Sequence, residues 1–130
     1  MNSNRCRLMV VDDEPIVCRR LKQILEKAGY EVAVFNDGES AIKELERQAY
    51  NIIVTDLKME GADGMKILET AREKNPGVKV IMITGFAEME TAKEAFKKGV
   101  FDFISKPVEV HTIKEVISRA EQEIFGPKKE

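Results

Sequence analysis

Four short apolar runs in this chain each lead into residues that handle phosphate or metal ions. Residues 8–11 run into Asp12, Asp13 and Glu14, and residues 52–55 into Asp56. Residues 80–83 run into Thr84 and Gly85, and residues 101–105 into Lys106 and Pro107. If the runs are parallel strands of one sheet, these side chains arrive together at the carboxyl edge, where open α/β sheets bind ligands. Three carboxylates, a hydroxyl and an ammonium suit a divalent cation and a transferable phosphoryl group. Carboxylates crowded into one crevice repel one another and raise their own pKa values unless a cation compensates. A hard, oxygen-seeking ion such as Mg2+ resolves that conflict.

Taken singly, each residue has a plainer reading. An acidic pair ahead of a helix is usually a cap interacting with the helix dipole. Thr84 fits an ordinary strand, Lys106 an ordinary surface and Phe103 an ordinary core. The combination carries the argument: Asp12 and Asp13 are followed by Glu-Pro, and a lone Asp56 closes the run richest in β-branched residues. Gly85 omits a side chain where a ligand would approach. Lys106 is fixed in a turn by Pro107, across a bond that is a candidate for the cis form.

The elements needed to position these residues follow from the periodicity. Apolar runs alternate with helical patterns, which argues for βα units around a parallel sheet. The expected strands are 7–11, 30–35, 51–55, 78–83 and 100–104. The expected helices are 15–28, one capped by Asp37, one capped by Asp63 and running to 74, 88–98 and 109–124. Pro15 suits a first helical turn, and Val17, Leu21, Ile24, Leu25 and Ala28 form the inward stripe of that helix. Ala41, Ile42 and Leu45 face inward on the second helix; Ile113, Val116, Ile117, Ala120 and Ile124 do so on the last. Strands two and five are mixed in character and belong at the sheet edges; strand three reads as buried on both faces. The expectation is a (βα)5 doubly wound α/β fold, with helices on both faces of one twisted sheet.

Composition narrows the functional classes. One hundred and thirty residues, 43% apolar and 34% charged, make one ordinary globular domain. Its core is expected over 7–125, with 126–130 a tail or the start of a connection. A net charge of −2 leaves no electrostatic footprint for direct nucleic-acid binding or an anionic membrane. No apolar stretch approaches the roughly 20 residues of a spanning helix, and residues 1–7 are too short and polar for a signal peptide. Cytoplasm is the default expectation. Cys6 and Cys18 lack the spacing and companions of a zinc site or disulfide framework and read as free thiols. His111, the only histidine, reads as a solvated surface residue.

The stretches VVDDEP at 10–15, VTDLKMEGADGM at 54–65, MITGFAE at 82–88 and FDFISKPVE at 101–109 resemble the receiver domain of bacterial two-component response regulators. The resemblance covers about residues 7–125. It implies a flavodoxin-like strand order 2-1-3-4-5. It also implies that Asp56 is the phosphoacceptor, and that Asp13 binds Mg2+ (or Mn2+) directly while Asp12 acts chiefly through a coordinated water. The backbone carbonyl of Lys58 matches the remaining protein ligand. Thr84 matches the hydroxyl residue, Lys106 the lysine contacting the phosphoryl group, and Phe103 the aromatic switch position. Lys58 and Phe86 match positions flanking the approach of the hydrolytic water. Glu60 departs from a proline that is frequent in the family, which bears on loop stiffness rather than chemistry.

The implied partners are a sensor histidine kinase or histidine phosphotransfer protein, a C-terminal effector domain beyond residue 130, and a second copy through helix 4–strand 5–helix 5. The implied role is that of a phosphoacceptor rather than an enzyme. A metal-dependent aspartyl phosphatase would want a second carboxylate two residues after its nucleophile, where this chain has Lys58. A dinucleotide or flavin module would want G-x-G-x-x-G after strand one, which is absent. A phosphorylation-independent interaction receiver is disfavoured because every chemical position is filled.

Overall fold

In the computed structural model, which describes residues 6–59, 61–85 and 89–126, five strands and five helices alternate. They are β1 (Arg7–Val11), α1 (Pro15–Lys27), β2 (Glu31–Phe35), α2 (Gly38–Arg47), β3 (Ile52–Asp56), α3 (Gly64–Lys74), β4 (Lys79–Thr84), α4 (Met89–Lys97), β5 (Asp102–Ser105) and α5 (Val110–Phe125). The strands pair in parallel in the order β2-β1-β3-β4-β5. The two mixed strands take the edges, and every residue of β3 is buried.

Alternation along each strand divides the core between two faces. Leu8 and Val10 of β1, Ile52 and Val54 of β3, and Ile81 and Ile83 of β4 pack with Leu21 and Leu25 of α1 and Ile113 and Ile117 of α5. Met9, Val11, Ile53, Val80 and Met82 pack on the other face with Leu45 of α2, Ile67 and Leu68 of α3, and Ala95 of α4. That phase governs the functional edge. Asp12, Asp56 and Lys106 continue the series facing α1 and α5. Thr84 and Phe103 continue the series facing α4.

Local signals account for most element ends. The Asp37 carboxylate accepts from the Ser40 N–H and starts α2; Asp63 accepts from the Met65 and Lys66 N–H groups and starts α3. Several boundaries differ from the sequence expectation by one or two residues. Asp56 and Thr84 lie within their strands, because the ladder pairs Asp56 with Ile83 and Thr84 with Ser105. Sheet pairing extends past the apolar run into polar residues, which hydrophobicity alone cannot register. Strand β5 correspondingly starts at Asp102, two residues later than expected. Ala28 was expected on the inward stripe of α1 but is exposed as its C-cap, and Cys18 supplies a buried position instead. The expected start of α4 at Glu88 lies outside the described residues, as do Glu60 and the tail 127–130. The Lys106–Pro107 peptide is cis, and both cysteines are free and buried.

Candidate functional site

The ends of β1 and β3 bring three carboxylates together. Ligand oxygens of Asp12, Asp13 and Asp56 lie within 4.8 Å of one another, with Asp12 and Asp56 buried and Asp13 exposed. Lys106 crosses from the β5–α5 turn to face them. Its Nζ donates to Asp56 Oδ2 at 3.0 Å and stands 3.7 Å from Asp12 Oδ2. The turns are knitted to the sheet by backbone bonds: Leu57 N–H to the Ile83 carbonyl, Lys106 N–H to the Thr84 carbonyl and Gly64 N–H to the Leu57 carbonyl. Gly64 has no room for a side chain, since a Cβ there would lie 2.7 Å from the Asp56 carbonyl oxygen.

Asp12 shows how the site is balanced. Its Oδ1 accepts the Glu14 N–H at 2.9 Å, so this acid supports the α1 entry. Its Oδ2 is buried with no hydrogen-bond donor. Burial raises the Asp12 pKa; the Glu14 N–H and the Lys106 charge oppose this, while the charges of Asp56 and Glu14 add to it. Burial alone would lower Lys106, but its bond to Asp56 and the charges of Asp12, Asp56 and Glu14 outweigh this and hold it above its ordinary value. Lys106 thus serves Asp12 and Asp56 together, and leaves one buried oxygen of Asp12 without a hydrogen bond. An orphaned buried oxygen among hard oxygen donors is the setting a small divalent cation fits.

Asp56, Lys58, Thr84, Gly85 and Lys106 line a hollow of about 300 Å3 beside this cluster. Thr84 is buried and Lys58 exposed, with the Lys58 N–H reaching Asp56 Oδ1 at 3.4 Å. Phe103 is half-buried; its ring meets Phe96 of α4 edge-on, with centroids 5.5 Å apart. Asp12, Asp13, Asp56, Lys58, Thr84 and Lys106 are gathered at this edge, whereas Phe103 sits two positions back in the β4–β5 ladder, against α4, and Phe86 lies outside the described residues. Two contacts were not foreseen. The Cys18 thiol and the Asn36 side-chain amide both donate to the Asp12 carbonyl. No periodicity or motif marks a side chain that reaches a backbone oxygen on a neighbouring turn. Burial and the nearby Asp12 charge push the Cys18 thiol up to about 11, so it stays a donor at neutral pH.

The fold and this edge define a class: a doubly wound α/β domain whose ligand site is made of three carboxylates, a hydroxyl and an ammonium. The family model for the response regulator receiver domain matches residues 8–118, and the chain belongs to that family. It is 30% identical over 120 residues to the transcriptional regulatory protein ZraR of Escherichia coli K12, covering 92% of this chain and 27% of that protein. It is 34% identical over 115 residues to the nitrogen assimilation regulatory protein NtrX of Azorhizobium caulinodans, covering 87% of this chain and 25% of that protein. A response regulator receiver domain protein from Clostridium thermocellum superposes with a TM-score of 0.84 at 28% identity, covering 91% of this chain and 95% of that one. The chain spans about a quarter of the length of these two curated relatives.

Proposed function

We propose that Asp56 accepts a phosphoryl group from a phosphohistidine on a sensor kinase or phosphotransfer protein, and that Mg2+ (or Mn2+) is required. The observation that carries this reading is the buried, donorless Asp12 Oδ2 beside Asp13 and Asp56, with Lys106 bound to Asp56 from the opposite side. Asp12, Asp13, Asp56 and the Lys58 carbonyl would hold the cation, which when bound neutralises phosphoryl charge. The Asp56 carboxylate attacks phosphorus in line; the new O–P bond forms as the P–N bond to the donor imidazole breaks. Lys106 and the Thr84 hydroxyl cover oxygens on which charge accumulates. The receiver unit spans about residues 7–125 and acts as a phosphoacceptor that assists its own transfer and hydrolysis.

Incubation with acetyl phosphate and Mg2+, followed by intact mass measurement, tests the reading. A single phosphoryl adduct is expected on the wild type, and none on Asp56→Ala or in excess chelator. Undiminished labelling in either case overturns it. Phosphatase activity towards an added phosphoester, without a phosphoaspartate, would instead favour the aspartyl phosphatase.

Lys58 and Phe86 set the lifetime of the phosphorylated state. Phe86 offers the hydrolytic water no hydrogen bond, so slow loss is expected. Phe86→Asn should accelerate decay by about tenfold, corresponding to roughly 1.4 kcal/mol of barrier, in a time course of phosphoprotein signal. Equal or slower decay in the variant removes Phe86 from the account.

A further inference from the structure

Asp12 is held by its backbone as much as by its side chain. Its N–H donates to the Phe35 carbonyl at 3.1 Å, extending the β1–β2 ladder one residue past the strand. Its carbonyl accepts the Cys18 thiol at 3.3 Å and the Asn36 Nδ2 at 3.2 Å. The same Asn36 Nδ2 lies 3.3 Å from the Cys18 sulfur. A ring of three polar groups thus closes between the β1–α1 turn, the first helix and the β2–α2 turn. With the peptide fixed on both sides and Oδ1 fixed by the Glu14 N–H, the direction of Oδ2 has little freedom left. Oδ2 accepts no hydrogen bond from the protein, the Lys106 ammonium standing 3.7 Å away.

We propose that Asn36 and Cys18 are positioning residues for the metal-binding carboxylate of Asp12, holding its peptide so that Oδ2 faces the carboxylate cluster. The inference rests on the metal-dependent reading of the site given above. Neither side chain touches a cation-binding oxygen; both act one bond network away, as partners that orient a ligand do in metal sites. They also approach from opposite environments. Cys18 is 2% exposed and packs in the core beneath α1, whereas Asn36 is exposed. Truncating Asn36 therefore opens no core cavity, and its effect on the metal separates from any effect on packing.

Calorimetric titration of Mg2+ into the 130-residue chain provides the test, with unfolding midpoints measured in chelator alongside. Asn36→Ala and Cys18→Ala should each weaken Mg2+ binding by about tenfold, the lower end of what such orienting partners contribute. Cys18→Ser keeps a donor at the same place and should recover most of the lost affinity. In Asn36→Ala the unfolding midpoint should stay at the wild-type value while affinity falls. Mg2+ binding as tight as wild type in both alanine variants overturns the proposal, even if Cys18→Ala is less stable. If Cys18→Ala does not fold, Asn36→Ala decides alone. A wild-type chain that binds no Mg2+ overturns the metal reading itself, and the positioning inference with it.

Discussion

At Asp12 the requirements of folding and of ligand binding oppose each other. A carboxylate oxygen taken out of water without a donor destabilises the fold, and its nearest cation, Lys106, is already bonded to Asp56. Such strain is stored where function needs it, and relieving it commonly raises stability at the expense of activity. Asp12→Asn keeps an oxygen to accept the Glu14 N–H and places an amide donor toward the remaining carboxylates. In chelator the unfolding free energy should rise by about 1 kcal/mol, while Mg2+ binding collapses. Denaturant titrations with and without Mg2+ check both halves. A variant less stable than wild type without metal would mean that Oδ2 is already compensated by the protein. Asp12, Asp13, Asp56, Thr84 and Lys106 were legible in the sequence because each follows an apolar run, so the topology alone delivers them to one edge. Asn36 and Cys18 were not, because their contribution is a contact to backbone across two turns.

Among the elements, the helices were legible from caps and stripes, and their errors have identifiable causes. Glu44 is one. The stripe of α2 predicts Ala41, Ile42 and Leu45 inward and carries no signal for Glu44, yet Glu44 is only 9% exposed. It is drawn in by polar partners at the end of its own helix and just beyond it. Its carboxylate accepts the Tyr50 hydroxyl at 2.6 Å and the Gln48 amide at 2.5 Å, and pairs with Arg47. Arg7 bonds Gln48 and lies over the Tyr50 ring, tying α2 to the amino end of β1. The Tyr50 and Gln48 bonds hold the Glu44 carboxyl below its ordinary value of 4.5, with the charges of Arg47 and Arg7 assisting against burial. A depressed carboxyl contributes stability above its unfolded-state pKa and loses it as pH falls through the folded value. Glu44→Gln should therefore cost about 1.5 kcal/mol at neutral pH, the scale of a hydrogen bond to a charged group. Its deficit relative to wild type should shrink once the pH falls below about 4.5. Urea unfolding at a series of pH values would show this; a deficit independent of pH would mean that the charge of Glu44 contributes nothing.

At the scale of the whole molecule, the sheet connects the phosphoryl site to a surface. Thr84 and Phe103 share the face that packs on α4, and Phe103 meets the 56%-exposed Phe96. A phosphoryl group on Asp56 adds charge and strong acceptor oxygens to the hollow that Thr84 lines. In the switch that the family resemblance implies, Thr84 would turn toward those oxygens and Phe103 would rotate into the space vacated, leaving Phe96 without its aromatic partner. A local charge change would thereby bias a two-state element. The face that such a switch would alter comprises α4, β5 and α5, and the exposed apolar side chains Phe96 and Val110 belong to it. No helix among the described residues is long and apolar enough to cross a membrane. Beryllofluoride, a phosphoryl mimic, should shift amide resonances from the crevice out to residues 92–96 and 109–116 and drive the chain from monomer to dimer in sedimentation. Val110→Glu, placing like charges on both copies, should prevent the dimer while the amide shifts persist. Shifts confined to residues 12–15, 58 and 85 would show that phosphorylation does not reach the far face. Dimerisation that survives Val110→Glu would place the interface elsewhere on the molecule.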